Sequence, residues 1–341
     1  MNRLLRTCLG ACLVMPAIAE AQGLFKKNEP LQVTLTTSLR SLLRDRDSTK
    51  RILHGAELTY KDSTGAVVKI PAGLRTRGHF RRLDRNCEFP PIKLEITKEA
   101  ARKTVFDGNR TLKVATNCRP GNAEYEQYIL KEYALFRMYQ TLTPWSYSTR
   151  LAHITYNDST GKTKPVESWA FFVEDDGDLA QRRQGKKFET KGAYFDDLEP
   201  EKTGYMNMFE YMIGNTDWSV GALHNVTLLR DSLAVIHPVP FDFDWSGAVD
   251  ARYAFPDASL NTSSVRTRVW RGDCRSAEVM APIIQHFLSR RAAMDSILPG
   301  IDAMAPATRE KMNKYFAEFW PMLNDPKKAV SSFGRTCKDR N

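Results

Sequence analysis

The order of apolar and polar positions divides the chain into a strand-rich first part and a helix-rich second part. Alternation with a period of two marks residues 32–37, 56–61, 67–71, 73–76, 92–96 and 111–116 as strands, because successive side chains of an extended chain point to opposite faces. The turn-forming stretches Asp62-Ser63-Thr64-Gly65 and Phe106-Asp107-Gly108-Asn109 punctuate them. From Asn122 to Leu142 the period changes. Apolar or aromatic residues fall at 125, 129, 133, 136 and 139, a helical spacing with Asn122 placed to cap it. Strands at 151–156 and 166–173 then flank a hairpin turn, Asn157-Asp158-Ser159-Thr160-Gly161. Helical patterns dominate afterwards at 204–213, 277–298 and 307–323, interrupted by a β pair at 226–230 and 234–241. The class is α+β: a β-rich portion with one helix over residues 22–173, then a mainly helical portion over 174–341 that contains a β hairpin.

The N-terminus changes the picture of where this chain works. Arg3 and Arg6 precede an apolar stretch from Thr7 to Ala19, and Ala19-Glu20-Ala21 has the small-x-small pattern of a signal-peptidase site. Residues 1–21 are therefore read as a cleaved signal peptide and the protein as secreted or periplasmic. No later run of about 18 uncharged apolar residues offers a transmembrane helix. Of the six cysteines, Cys8 and Cys12 leave with the signal, so Cys87, Cys118, Cys274 and Cys337 remain in an oxidising setting. If 92–96 and 111–116 form an antiparallel hairpin, Cys87 and Cys118 meet at its open end, and Cys274 is left to tie down Cys337.

The formal charge of +10 favours anionic partners. Its clusters, such as Arg182-Arg183 and Arg290-Arg291, read as solvated faces rather than as a nucleic-acid surface.

Candidate chemistry sits around the second β pair. Gly214-Asn215-Thr216-Asp217, followed by His224-Asn225, precedes it, and Pro240-Phe241-Asp242-Phe243-Asp244-Trp245 follows it. Phosphoryl transfer needs a carboxylate that orients an acceptor hydroxyl and oxygen ligands for a divalent ion on the donor phosphates. Asp217 fits the first role, and Asn225, Asp242 and Asp244 fit the second. If the strand ran through them, Asp242 and Asp244 would share a face and repel unless a cation lay between them.

These segments resemble the CotH kinase family, secreted protein-kinase-like proteins named for a spore coat protein. Leu74-Arg75-Thr76-Arg77-Gly78 and Pro91-Ile92-Lys93-Leu94-Glu95-Ile96 resemble the family's Arg-Gly loop and lysine-bearing strand. Trp169 to Glu174 resembles the strand into its hinge. Asn215-x-Asp217, Asn225 and Asp242-x-Asp244 resemble its catalytic and metal segments. The resemblance spans roughly residues 33 to 250. It implies a bilobal protein-kinase-like fold and a kinase using ATP with Mg²⁺ or Mn²⁺ to phosphorylate a protein or small-molecule acceptor. Asp217 would be catalytic, Arg77, Lys93 and Glu174 would bind the nucleotide, and Asn225, Asp242 and Asp244 would bind the metal. One helix glutamate, Glu124, Glu126 or Glu132, would pair with the lysine; their spacing does not select among them.

Two rival readings stay open. His79-Phe80 and the eight-residue step from Asp217 to Asn225 depart from the family pattern, as a non-catalytic nucleotide- or partner-binding module would. Phe241-Asp242-Phe243-Asp244 also resembles the nucleophile motif of haloacid-dehalogenase-type phosphatases, which would require a Rossmann-like sheet.

Overall fold

The computed structural model describes residues 23–47, 49–50, 52–333 and 337; the expected signal peptide lies outside them. The elements, in chain order, are β1 (Leu31–Thr37), α1 (Leu39–Arg44), β2 (His54–Lys61), β3 (Val67–Thr76), β4 (Ile92–Ile96), α2 (Lys98–Ala101), β5 (Thr111–Thr116) and α3 (Ala123–Leu142). Then come β6 (Thr149–Asp158), β7 (Val166–Glu174), α4 (Asp176–Arg182), β8 (Lys186–Phe188), α5 (Pro200–Ile213), β9 (Val226–Arg230), β10 (Ile236–Pro240), α6 (Ala277–Asp295), α7 (Pro306–Ala317) and α8 (Pro326–Phe333).

Strands β1 to β7 close into a barrel in the order β1-β2-β3-β4-β5-β7-β6. Closure comes from β1, which pairs antiparallel with β2 and in parallel with β6, Leu31 opposite Ala152 through Thr37 opposite Asp158. The pairing leaves neither β1 nor β6 as an exposed edge. Inward-facing Val33, Leu58, Ile70, Leu94, Leu112 and Phe172 fill the interior, and Phe106 plugs it against Tyr60 and Phe172.

The expected bilobal kinase-like fold is therefore corrected. The β-rich part is a closed barrel, and it carries α1 and α2 besides α3. Helix α3 does not belong to the strands alone either. Its buried face, with Tyr125, Ile129, Tyr133 and Phe136, joins one continuous core with α5, α6 and α7. That core also takes in Phe171 of β7, whose ring lies 5.7 Å from Tyr133 and 5.6 Å from Phe136. A haloacid-dehalogenase-type reading fails on the same ground, since every barrel pairing except β1 with β6 is antiparallel.

Local signals explain the elements that frame the site. Asn122 caps α3, its side chain accepting the Glu124 and Tyr125 amides. Helix α5 begins with Pro200 in its first turn and ends at Gly214, whose φ of 67° a β-carbon would disfavour. That turn throws the chain into Asn215–Asp217.

A three-stranded sheet, β10-β9-β8, completes the molecule. Cys87 is bonded to Cys118 and Cys274 to Cys337, with Cα atoms 4.9 and 5.0 Å apart. The first bridge sits where β4 and β5, paired Ile92 with Val114, open at their end. No described helix is long and apolar enough to cross a membrane.

Candidate functional site

Strand β10 stops at Pro240, and Asp242 adopts a left-handed backbone (φ 62°, ψ 61°) before a 3-10 turn over Phe243–Trp245. The expectation that one strand runs through both acids is thus corrected. Phe243 is the reason. It is fully buried against Phe136 at 4.8 Å and Phe209 at 5.5 Å, and drawing its ring into the core reverses the chain around it.

Asp242 and Asp244 nevertheless converge, and they do so on Glu132 of α3. One carboxylate oxygen from each of the three lies within 4.8 Å of the others. Among the three glutamates considered on α3, only Glu132 is part of this group.

The surroundings set the charge balance. Arg81 reaches Asp242 at 3.4 Å and Asp244 at 3.5 Å, and Tyr253 donates its hydroxyl to Asp244 at 3.0 Å. Arg77, half-buried, feels Asp242 and Glu132 as well. Burial pushes the Glu132 carboxyl well above the usual carboxylate range, and the charge of Asp244 adds to it. Asp244 is raised to about 6 by burial, with Arg81 pulling back and Asp242 pushing further. For Arg81 burial works against the charge, but Asp244 and its neighbours outweigh it and hold the guanidinium above its ordinary value. Burial lowers Arg77.

Three carboxyls thus face two guanidiniums. Glu132 is 2% exposed, and its Oε2 has no hydrogen-bond partner among the described residues. A buried acceptor left in this state is costly unless something else satisfies it.

Asp217 lies on the neighbouring loop. Its backbone N–H donates to Asn215 Oδ1 at 3.1 Å, while its carboxylate meets His224 Nε2 at 2.9 Å and accepts from Asn225 Nδ2 at 3.0 Å. Asn225, at φ 53°, also donates to the Asp217 carbonyl at 2.6 Å. The Asn225 amide nitrogen is thus committed to Asp217. The charge of Asp217 helps to raise Asp244, so the loop and the acid cluster share one field.

Lys93 and Glu174 are placed differently. Lys93 sits 3.2 Å from Asp175, and it is not in contact with the acid cluster. Glu174 accepts twice from Arg182 at 2.8 Å and once from the Ser148 amide at 2.9 Å, so its carboxylate is already satisfied.

Lys113, not among the residues expected from the sequence, is packed against Phe241. It stands directly opposite Lys93 in the β4–β5 pair, ion-paired to Asp176, with its ammonium 4.6 Å from the Tyr147 ring and 5.1 Å from that of Phe241, the residue before Asp242. Burial lowers Lys113, and for Asp176 the lysine outweighs burial and holds the carboxyl at about 2.

The signals for Lys113 and Glu132 were present. Lys113 alternates with Leu112 and Val114 just as Lys93 does with its neighbours, and Glu132 falls on the apolar stripe of α3, where a charge is out of place.

A wide cleft lies elsewhere. It measures about 1170 Å³ at one end of the barrel, beside Lys61, Lys103, Val68 and Val105, and is lined by none of the expected site residues. The expected acids Asp217, Asp242 and Asp244 lie outside this cleft.

Compared with known proteins, the chain matches no protein-family model and no curated sequence.

Proposed function

We propose that this protein is an exported, CotH-like phosphotransferase that uses a metal-bound nucleotide such as ATP to phosphorylate a hydroxyl acceptor on a protein or small molecule. The observation that carries the reading is the convergence of Glu132, Asp242 and Asp244 around a buried oxygen without a partner. Oxygen-only ligands suit Mg²⁺ or Mn²⁺, and a cation would take the place of the proton that burial otherwise favours on Glu132. Asp242 and Asp244, with Glu132 behind them, are the residues that would hold it. Such an ion supplies charge neutralisation on the transferring phosphate.

The protein's own groups do the rest in this reading. Arg77, Arg81 and Lys113 offer positive charge to the donor phosphates and, through Lys113 beside Phe241 and Tyr147, an aromatic-lined neighbourhood for the nucleoside. Asp217, held by His224 and Asn225, orients the acceptor hydroxyl and receives its proton. Lys93 and Glu174 take no direct part. Export is supported by the N-terminal pattern and agrees with two disulfides.

The roles separate kinetically. Asp217→Ala removes transition-state positioning, so turnover should drop by about 10³-fold or more with nucleotide affinity retained. Asp242→Ala should weaken metal-nucleotide binding itself. Single-turnover phosphorylation assays paired with calorimetric nucleotide titrations test this, and equal loss of binding in both variants would contradict the assignment.

A further inference from the structure

Beneath the Asp217 loop lies a buried carboxyl group. Glu210, on the last turn of α5, is 1% exposed, and neither of its carboxyl oxygens has a hydrogen-bond partner among the described residues. Two further orphans belong with it. Among the described residues, Asn215 Nδ2 lies within hydrogen-bond distance of no partner although the residue is 1% exposed, and the same holds for the Tyr139 hydroxyl. The Asn215 amide lowers the Glu210 pKa against the upward push of burial, and Glu210 in turn raises Tyr139, so the three share one buried space. A carboxyl there is unfavourable for folding, and an apolar side chain of like volume would serve the core better.

The connections run in one direction, towards the site. Asn215 N donates to the Glu210 carbonyl at 2.8 Å, Asn215 O accepts from Trp218 Nε1 at 3.2 Å, and Asn215 Oδ1 accepts from the Asp217 amide at 3.1 Å. With Oδ1 committed to Asp217, the amide nitrogen of Asn215 must point inward, towards the Glu210 side. An acceptor oxygen on that side favours this orientation of the amide over the flipped one. Were the amide to flip, it would present a donor to the donor N–H of Asp217 and release the loop.

We infer that Glu210 is a positioning residue for Asp217, acting through the Asn215 side-chain amide. The inference rests on the phosphotransferase reading for what Asp217 does, but not for the loop geometry itself. An unfavourable buried carboxyl retained for a site carries a signature that a merely structural group lacks: its removal stabilises the fold while it impairs the chemistry.

The test compares Glu210→Met, Glu210→Gln and Asn215→Ala on the whole protein, by hydrogen exchange, thermal unfolding and steady-state kinetics. In Glu210→Met and Asn215→Ala, amide exchange at 217–225 should rise. In Glu210→Met the Tm should hold or increase by about 2 °C or more, and kcat should drop on the order of 10²-fold with the nucleotide KM unchanged. Glu210→Gln, which keeps an acceptor oxygen, should restore slow exchange and turnover. Unchanged exchange in both Glu210→Met and Asn215→Ala overturns the inference. A Tm lowered by Glu210→Met, or failure of that variant to fold, also overturns it, because the carboxyl would then be an ordinary structural group. If exchange responds as expected but the unmodified protein transfers no phosphate, the positioning role stands and the phosphotransferase reading falls.

Discussion

Glu174 and Glu132 are nearly equally buried, 4% and 2% exposed, yet they sit in opposite chemical conditions. Glu174 ends β7 with both oxygens used, by Arg182 and the Ser148 amide. Glu132 looks across from α3 at Asp242 and Asp244 with one oxygen unbonded. The first arrangement ties α4 to the end of the barrel. The second stores repulsion. Burial of a charge does not by itself mark a site; the distinguishing feature is whether the protein's own groups complete its bonding.

The largest effect expected from this contrast is on stability. Glu174→Ala should destabilise by about 2–4 kcal/mol, at the lower end of what breaking a buried pair costs because Arg182 is partly open to water. Glu132→Met should be neutral or stabilising by about 1–4 kcal/mol. Urea unfolding of the two variants gives both numbers. Equal destabilisation would erase the distinction between a completed pair and an open site.

A smaller effect concerns pH. Asp244 titrates at about 6 and Glu132 is displaced in the same direction, whereas unfolded carboxyls titrate near their ordinary values of about 4. The folded state therefore binds protons more tightly, and the stability these groups contribute is present below about pH 4 and lost as pH rises to about 6. The stability difference between the unmodified protein and Asp244→Asn should fall across that interval, by at most about 2–3 kcal/mol. Unfolding midpoints at pH 4.5 and 6.5 measure it, and a rising difference would mean that Arg81 controls Asp244 more than burial does.

The sequence was most legible where a local rule suffices. Period-two alternation placed β4 and β5 to the residue, Asn122 announced the start of α3, and the β4–β5 hairpin foretold the bond between Cys87 and Cys118. Barrel closure was not legible, because the pairing of β1 with β6 joins segments more than a hundred residues apart and leaves no mark in either. Strand β8, Lys186–Phe188, is too short to show alternation.

In the site, residue types were legible and geometry was not. Asp217 and Asn225 are in contact as their order suggested. Asp242 and Asp244 meet through a left-handed residue and a 3-10 turn that no alternation pattern reveals. Lys93 and Lys113 share one face of adjacent strands, and only the packing of Tyr147, Phe241 and Asp176 distinguishes them.

The central claim is that Glu132, Asp242 and Asp244 form a cation site serving a nucleotide, and thermal unfolding with Mg²⁺ or Mn²⁺, alone and with ATP, tests it most directly. A ligand that binds only the folded state at about 100 times its Kd stabilises by about 2.7 kcal/mol, enough to raise Tm by several degrees. The account predicts a metal-induced increase, a larger one with metal and ATP together, and the loss of both in Asp242→Ala. No shift with either metal and any nucleotide, or the same shift in Asp242→Ala, would contradict it.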